Sequence, residues 1–350
     1  MKRIFLPQLL IMTSLAVLTY GSGTFALEAL PKQPIVPLNN ATSLQKVELG
    51  RQLFFETRLS VTNTVSCNSC HNVMGSGTDN RPTSFGVFGK KGGRNAPTVW
   101  NAAFLSVQFW DGRAATLEDQ AKGPILNPVE MGMPSEQAAV DIINGIPEYR
   151  ERFSKVFGGK NPVTYDNIAK AIAAFERTLI TPESDFDRFK RGNKRAMSKE
   201  ALAGMQKVEE LGCTTCHTGP NFAGPAQPAG QGFYQKFPMF PGSAYDKTYN
   251  LTADLGRYNV THMEEDKNVW RVPTWRNVAL TAPYFHNGAV ATLDEAVRVM
   301  GKTQLNKDLD SQTVKEIVAF LNSLTGTFIN QPMPRLPQTP GTAPLLKEGL

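Results

Sequence analysis

Two short segments of the sequence combine cysteine and histidine at the same close spacing. Residues 67–71 read Cys-Asn-Ser-Cys-His, and residues 213–217 read Cys-Thr-Thr-Cys-His. In such a motif both thiols can add to the two vinyl groups of a haem, while the adjacent histidine ligates the iron. The chain has four cysteines and four histidines, too few for two such motifs to be expected by chance. We therefore predict two covalently bound c-type haems, held by Cys67, Cys70, His71, Cys213, Cys216 and His217.

Disulfides and zinc are the other uses of cysteine that this chain could make. Four cysteines in a secreted protein could form two disulfides, and a structural zinc site needs four ligands grouped in space. Here two complete triplets lie 146 residues apart in the sequence, which favours two separate haem sites. Disulfides and zinc remain the alternatives.

The first residues have the features of a secretory signal peptide. Lys2 and Arg3 form a basic start, residues 9–18 are an apolar stretch, and Thr-Phe-Ala at 24–26 offers a small-x-small cleavage site. The alternative is an uncleaved membrane anchor, but the apolar stretch is shorter than the roughly 20 residues of a spanning helix. We expect residues 1–26 to be removed, leaving a periplasmic protein that begins at Leu27 and has no membrane span.

The charge balance gives no support for nucleic-acid binding. The full sequence carries 37 basic and 31 acidic residues, a net charge of +6. Loss of Lys2 and Arg3 leaves 35 basic against 31 acidic residues, and the carboxylates of two haems would bring the total close to zero. The sequence also lacks a basic cluster interleaved with aromatic residues. We therefore expect no nucleic-acid partner.

An internal repeat indicates that the chain contains two copies of one unit. Residues 97–117 and 273–293 align without a gap, and nine of the 21 positions are identical. Each half has a haem motif followed by a Pro-Thr loop, a glycine turn and a helix, so we predict a mainly α, loop-rich fold of two tandem cytochrome c-like domains. The predicted N-terminal domain covers 27–180 and the C-terminal domain 181–326, and the tail 327–350 is expected to pack on the former.

The periodicity of apolar residues agrees with this fold class. Helical spacing dominates, and the alternation of apolar and polar residues that is typical of strands is nowhere sustained. One apolar helix face is formed by Ile168, Ile172, Phe175 and Leu179. Three further helices are predicted from capping residues, after Ser198 and ending at Gly212, after Thr292 with Glu295 as a capping box, and after Asp310.

Beyond the haem motifs, the chain resembles the bacterial di-haem cytochrome c peroxidases from residue 43 to 326. The segments that carry the resemblance are 67–72, 94–99, 108–114, 120–124, 129–131, 271–274 and 281–288. The resemblance implies a peroxidatic N-terminal haem and a high-potential, His/Met-ligated C-terminal haem. It also implies reduction of hydrogen peroxide to water by electrons that enter at the C-terminal haem from a small c-type cytochrome or a blue-copper protein. Relatives of this kind are commonly homodimers.

Carried over residue by residue, the resemblance assigns His71 to the first iron, and His217 with Met300 to the second. Glu130 matches the distal acid that shuttles a proton, because peroxide must lose a proton from one oxygen and gain one on the other. Gln120 matches a neighbouring distal polar group. From the residues alone, Met300 could equally be core filler, Glu130 a solvated loop charge and Gln120 a helix-surface residue.

Two further assignments come from the resemblance. Trp110 matches a tryptophan between the haems that serves as an electron route, although a core tryptophan would look identical. The residues that match oxygen ligands of a calcium ion between the domains are Asn95, Thr281 and Pro283, partly through backbone carbonyls. No acidic cluster in the sequence indicates such a site.

The sequence departs from the family pattern at Val87. Many members have a histidine 16 residues after the first haem histidine, which closes the oxidised peroxidatic haem and must detach on reduction. Valine cannot ligate iron, and the following Phe-Gly-Lys-Lys-Gly-Gly at 88–93 suggests a mobile loop. We expect this haem to be open or water-bound when both irons are ferric, so that little or no reductive activation is needed. The alternative ligand is His262, but its polar setting, Thr-His-Met-Glu-Glu, is typical of a surface segment.

Two rival functions fit two haems in one chain. A protein-modifying di-haem oxidase, such as the one that matures a tryptophan-derived quinone, uses tyrosine as a distal ligand. This chain has no tyrosine after Tyr284 and offers Met300 instead. A plain di-haem electron carrier would show no peroxide turnover and no role for Glu130.

Overall fold

The computed structural model describes residues 27–339, so the predicted signal peptide and residues 340–350 lie outside the described residues. The helices of the described part are α1 (Leu44–Phe54), α2 (Cys67–Cys70), α3 (Leu117–Leu126), α4 (Glu136–Asn144), α5 (Pro147–Phe157), α6 (Tyr165–Glu176), α7 (Asp185–Lys190), α8 (Lys199–Glu210), α9 (Ala244–Thr248), α10 (Tyr258–Thr261), α11 (Leu293–Leu305) and α12 (Ser311–Asn322). Two short strands, β1 (Tyr234–Lys236) and β2 (Val269–Arg271), pair antiparallel. The predicted mainly α, loop-rich fold is confirmed. None of the helices within residues 27–339 is both long and apolar enough to cross a membrane.

The predicted caps start three of these helices. The side chains of Ser198 and Asp310 accept hydrogen bonds from backbone N–H groups at the first turns of α8 and α12. Thr292 caps α11 in the same way. The predicted capping box is only half formed, because the Glu295 carboxylate instead accepts a hydrogen bond from the Tyr249 hydroxyl at 2.8 Å. A tertiary contact has therefore replaced the local one.

Each half contains a pair of helices that cross closely at a glycine. Helix α1 packs on α6 and α8 packs on α12. A Cβ atom on Gly50 would lie 1.8 Å from the Ala171 carbonyl oxygen, and one on Gly204 would lie 1.9 Å from the Glu316 carbonyl oxygen. Only glycine lets the backbones approach this closely, so both crossings depend on the missing side chain.

The buried apolar residues fall into two main clusters. The first is drawn from residues 47–179 and the second chiefly from residues 186–324. The described part of the tail returns to the first cluster: the Phe328 ring packs edge-on against Trp100, and Gln52 donates to the Arg335 carbonyl at 2.8 Å. The domain boundaries at 180 and 326 stay a prediction.

The duplicated segments share the same backbone. Both contain a bridge across the glycine turn, Gln108 with Ala114 and Tyr284 with Val290. The left-handed positions also correspond: Asn101 and Asn277 (φ 64° and 60°), Phe109 and Phe285 (66° and 69°), Gly112 and Gly288 (68° and 60°). Because residues other than glycine rarely adopt positive φ, the agreement at the asparagines and phenylalanines is specific to a shared fold.

The two copies meet at a buried hydrogen-bond cluster centred on Thr181. The Asn101 side chain donates to the Thr181 hydroxyl at 2.8 Å, and the Asn277 side chain donates to the same oxygen at 2.9 Å. The side-chain amide oxygen of Asn101 in turn accepts a hydrogen bond from the Thr181 backbone N–H at 2.9 Å. Equivalent asparagines of the repeat therefore join one threonine.

We predict that Gly204→Ala lowers the free energy of unfolding by about 1–3 kcal/mol, because its methyl group forces α8 away from α12. This loss would outweigh the roughly 1 kcal/mol that alanine gains over glycine in a helix. Denaturant unfolding measures the difference. Gly93→Ala is the control, since a Cβ atom there meets nothing within 4 Å. Equal stability of the two variants would contradict the prediction.

Candidate haem sites

The N-terminal motif forms a short helix that aims its histidine at the repeated Pro-Thr loop. Cys67–Cys70 make up α2, and the His71 backbone N–H closes it by donating to the Cys67 carbonyl at 2.9 Å. The ring Nδ1 of His71 lies 3.0 Å from the Pro97 carbonyl oxygen. A carbonyl only accepts, so Nδ1 carries the proton and Nε2 keeps a free lone pair for a metal.

The C-terminal motif reaches the same result with different neighbours. Helix α8 ends just before Gly212, whose left-handed conformation turns the chain into the 3-10 turn Cys213–Thr215. The Nδ1 atom of His217 lies 3.0 Å from the Phe222 carbonyl oxygen, and its ring stacks on Trp275 at 4.2 Å. The proton is again held on Nδ1, which leaves Nε2 available.

Burial keeps both histidines neutral, as a metal ligand must be. It lowers the pKa of His71 and lowers the pKa of His217 to about 4. Backbone hydrogen bonds oppose these shifts, chiefly to Gly77 and Pro97 for His71 and to Phe222 for His217. The repeated Pro-Thr loop therefore holds the first ring through Pro97, whereas the second ring is held through Phe222.

The four cysteines are free thiols and partly buried. Burial is the main cause that raises the pKa of each thiol, to about 11 for Cys213. Among residues 27–339, no group of three or more His, Cys, Asp or Glu side chains could hold a metal ion. Each cysteine pair directly precedes its own histidine in the sequence, which is the order that haem attachment uses.

One cavity contains the whole predicted C-terminal site. Cys213, Cys216, His217 and Met300 all line it, with Met300 supplied by α11. Its apolar walls come from helices α8, α11 and α12, through Val208, Leu293, Val297, Leu305, Ile317 and Leu321. The cavity therefore brings the predicted cysteines, histidine and methionine together from separate elements.

The same cavity extends to the other half of the chain. Pro97, Trp110 and all three predicted calcium residues, Asn95, Thr281 and Pro283, line it as well. The Trp110 indole donates to the Asn95 carbonyl at 2.9 Å, and the Asn95 backbone N–H donates to the His286 carbonyl at 2.8 Å. Trp110 is thus fixed at the boundary between the two copies of the repeat.

Unpaired ring nitrogens in the cavity fit the carboxylates of a haem. The rings of His286 and Trp270 are buried, stack at 4.2 Å and both line the cavity. Among the described residues, His286 Nε2 and Trp270 Nε1 have no hydrogen-bond partner. Buried polar atoms normally have one. A porphyrin carboxylate could supply it, so these residues fit the predicted cofactor.

A buried arginine adds positive charge to this end of the cavity. The Arg271 guanidinium hydrogen bonds only to backbone carbonyls, of Phe109 and Val272, and burial lowers its pKa to about 10. Sequence reasoning placed Arg271 only within a family motif and missed Trp270. The only sequence signal for Trp270 was its position next to Arg271, in Val-Trp-Arg. A tryptophan that merely fills the core would look the same in the sequence.

Glu130 lies close to the N-terminal motif. It is half-buried in the turn after α3, and its carboxylate accepts a hydrogen bond from the Asn127 amide at 2.7 Å. Burial raises the pKa of Glu130, against the opposing charge of Arg113. Burial is the main cause that raises the pKa of Cys67 and Cys70, and the Glu130 charge adds to it, so this carboxylate lies within electrostatic range of both thiols.

The Val87 segment is a hairpin that contacts the Glu130 turn through Gly86 and Val87. Gly86 donates to the Lys90 carbonyl at 2.8 Å, and Val87 is buried with its N–H bonded to the Glu130 carbonyl at 2.9 Å. A Cβ atom on Gly86 would lie 2.1 Å from the Val129 carbonyl oxygen. The missing side chain of Gly86 therefore lets the hairpin pack against the Glu130 turn, whereas a Cβ atom on Gly89 or Gly93 would meet nothing within 4 Å. Gln120 lies half-buried on α3.

Comparisons with known proteins agree with this geometry. A family model described as di-haem cytochrome c peroxidase matches residues 44–195. The chain is 44% identical to a cytochrome c551 peroxidase of Nitrosomonas europaea over 96% of both chains. It is also 44% identical to a cytochrome c551 peroxidase of Pseudomonas aeruginosa, over 90% of this chain and 88% of that one. The crystal structure of a MauG-like protein associated with microbial copper homeostasis is 28% identical and superposes with a TM-score of 0.75, covering 85% of this chain and 95% of that chain.

We predict that His286→Phe lowers the reduction potential of the C-terminal haem. Phenylalanine preserves the stack on Trp270 but removes a hydrogen-bond donor, so a haem carboxylate would keep more of its negative charge and favour the oxidised iron. A hydrogen bond of about 1 kcal/mol corresponds to a shift on the order of 40 mV. Spectroelectrochemical titration measures it. His262→Phe, at an exposed histidine, is the control and should leave the potential unchanged.

Proposed function

The chain belongs to the di-haem cytochrome c peroxidase family, and from this premise we propose that it reduces hydrogen peroxide to water with electrons from a small redox protein. Each turnover consumes one peroxide, two electrons and two protons and yields two waters. The observation that carries the proposal is Glu130, a half-buried carboxyl with a raised pKa beside the N-terminal haem motif.

Two haems would be held covalently through the four cysteines, each thiol S–H adding across one vinyl group. His71 would ligate the N-terminal iron through Nε2, and His217 with Met300 would ligate the C-terminal iron. The support is the protonated Nδ1 of both rings and the cavity that His217 and Met300 share. When bound, the haems supply the redox chemistry: storage of electrons and an iron on which peroxide can bind.

Glu130 would move the proton on the bound peroxide. One peroxide oxygen must lose its proton and the other must gain one before the O–O bond breaks. Burial raises the pKa of this carboxyl, which makes it a better proton acceptor than an exposed glutamate and lets it return the proton afterwards. The Asn127 amide holds one carboxylate oxygen in place. Gln120, on the helix that precedes this turn, would supply a second polar group.

Trp110 would carry electrons from the C-terminal to the N-terminal haem. It lines the cavity that contains His217, as does Pro97, whose carbonyl binds the His71 ring. This cavity therefore joins the surroundings of both proposed iron ligands. A calcium ion on Asn95, Thr281 and Pro283 would stabilise the same junction, since all three residues line that cavity. Hard oxygen donors of this type suit calcium.

The electron donor would be a c-type cytochrome or a blue-copper protein, and the enzyme would act in the periplasm as a homodimer. The family resemblance and the signal-like residues 1–26 support these proposals. The rival role as a protein-modifying oxidase requires a tyrosine ligand. The Tyr284 hydroxyl instead donates to the Val278 carbonyl at 3.2 Å, while Met300 lines the cavity.

We predict that Glu130→Gln lowers the rate of peroxide turnover by about 10²- to 10⁴-fold. The visible spectra of both haems should stay unchanged. Glutamine keeps the shape of the side chain but cannot take a proton. Stopped-flow mixing of the reduced holoprotein with peroxide measures the rate. Glu209→Gln, on the exposed side of α8, should retain full activity. A plain electron carrier would show no peroxide turnover even in the unmodified protein.

We predict that the fully oxidised protein shows a high-spin signal from the N-terminal haem in electron paramagnetic resonance, because Val87 cannot close that iron. Val87→His, at the buried tip of the hairpin, should convert part of this signal to low-spin and make turnover dependent on prior reduction. A wholly low-spin, bis-histidine signal from the unmodified N-terminal haem would refute an open site.

A further inference from the structure

Glu176 is a buried carboxyl that the proposed reaction does not use. It is the last residue of α6 and is 4% exposed. Its Oε2 atom has no hydrogen-bond partner among the described residues. Ala169 and Ile172 on the same helix face belong to the N-terminal core, against which Cys67 also packs. An unpaired carboxyl in this apolar setting is costly and calls for an explanation.

The cation next to Glu176 is committed to another carboxylate. Arg177 donates through both terminal nitrogens to Glu118, at 2.7 and 2.8 Å, and Glu118 also accepts from the Asn40 amide at 2.6 Å. Arg177 and Asn40 therefore both bond to Glu118, and Glu176 takes no part in these bonds. Burial raises the pKa of Glu176 to about 8, with Arg177 acting against the shift and Glu118 adding to it.

The two cations of α1 are directed to other groups. From α1, the Lys46 ammonium binds the Asn40 side chain and the Ala41 carbonyl, and the Arg51 guanidinium lies over the Phe175 ring. From α2, Cys67 packs against the same apolar cluster to which α6 contributes, and burial, followed by the Glu176 charge, raises the pKa of its thiol. Glu176 therefore lies in the core on which an attachment residue of the N-terminal haem also packs.

We propose that Glu176 binds a proton when an electron arrives at the N-terminal haem and releases it when the electron leaves. The balance is one electron to the iron and one proton from solvent to the Glu176 carboxylate, giving the neutral acid. Adding an electron alone would leave an uncompensated charge in a medium of low dielectric constant, and the proton removes it. The proposal rests on the proposed haem at Cys67, and it makes reduction of that haem dependent on pH.

The sign follows from linkage. Glu176 has one pKa when the haem is oxidised and a higher one when the haem is reduced. Below both values it stays protonated, and above both it stays ionised. Between the two values reduction takes up a proton, so the reduction potential falls as the pH rises. The limiting slope is a tenfold change in the reduction equilibrium per pH unit, or 59 mV for one electron. The window should include the pKa of about 8.

Redox titrations of the holoprotein from about pH 6 to pH 9, followed at the N-terminal haem, test the proposal. The potential of the unmodified protein should fall across this window. Glu176→Gln, which keeps the shape and stays neutral, should flatten the curve at its low-pH value. Glu136→Gln, at an exposed position of the same half, is the matched control and should keep the slope. An unchanged slope in Glu176→Gln overturns the proposal.

A second measurement needs no variant. The reduced-minus-oxidised infrared difference spectrum of the unmodified protein near pH 8 should show a new protonated carboxyl band, shifted by ¹³C labelling of glutamate. Absence of that band overturns the proposal even if Glu176→Gln fails to fold. Peroxide turnover is measured separately: its absence would refute the proposed function and leave the slope and the infrared band as they are.

Discussion

The hydrogen bond from each haem-motif histidine to a backbone carbonyl is the interaction on which the site depends. It fixes the proton on Nδ1 and presents Nε2 as the only possible ligand atom. The Pro97 carbonyl makes this bond to His71, and the loop that carries it must therefore stay in register with the motif 26 residues earlier. The left-handed Asn101 and the glycine turn that follow hold that loop, and both recur in the second copy.

The two copies keep one backbone and differ in the side chains that meet between them. Trp110 of the first copy and His286 of the second occupy the same repeat position, yet Trp110 donates to a backbone carbonyl while His286 stacks on Trp270 with a free nitrogen. The first half adds Glu130 and the Val87 hairpin, and the second adds Met300. Duplication thus supplied the scaffold, and the chemical difference between the halves lies in a few side chains.

Local signals made much of this fold predictable. Caps such as Ser198 act within four residues, and the haem motifs and the repeat are read directly from spacing. Features set by distant partners were missed. Glu295 was predicted to cap its own helix, but Tyr249, 46 residues away, takes its carboxylate. The contact between the Val87 segment and the Glu130 turn was also missed, because it depends on Gly86, whose missing side chain lets the two backbones approach. Glu176 resembled any charge at a helix end until its burial was known.

The return of the tail to the first half has a consequence for assembly. Arg58, Gln52 and Trp100 receive residues 328–339, which are the last of the described chain to be synthesised. The half that emerges first therefore reaches its complete set of contacts only after the second half has been synthesised. Its Cys67 and Cys70 stay beside an unfinished core during this interval, so the proposed attachment of haem there would have time to precede the final packing of that half.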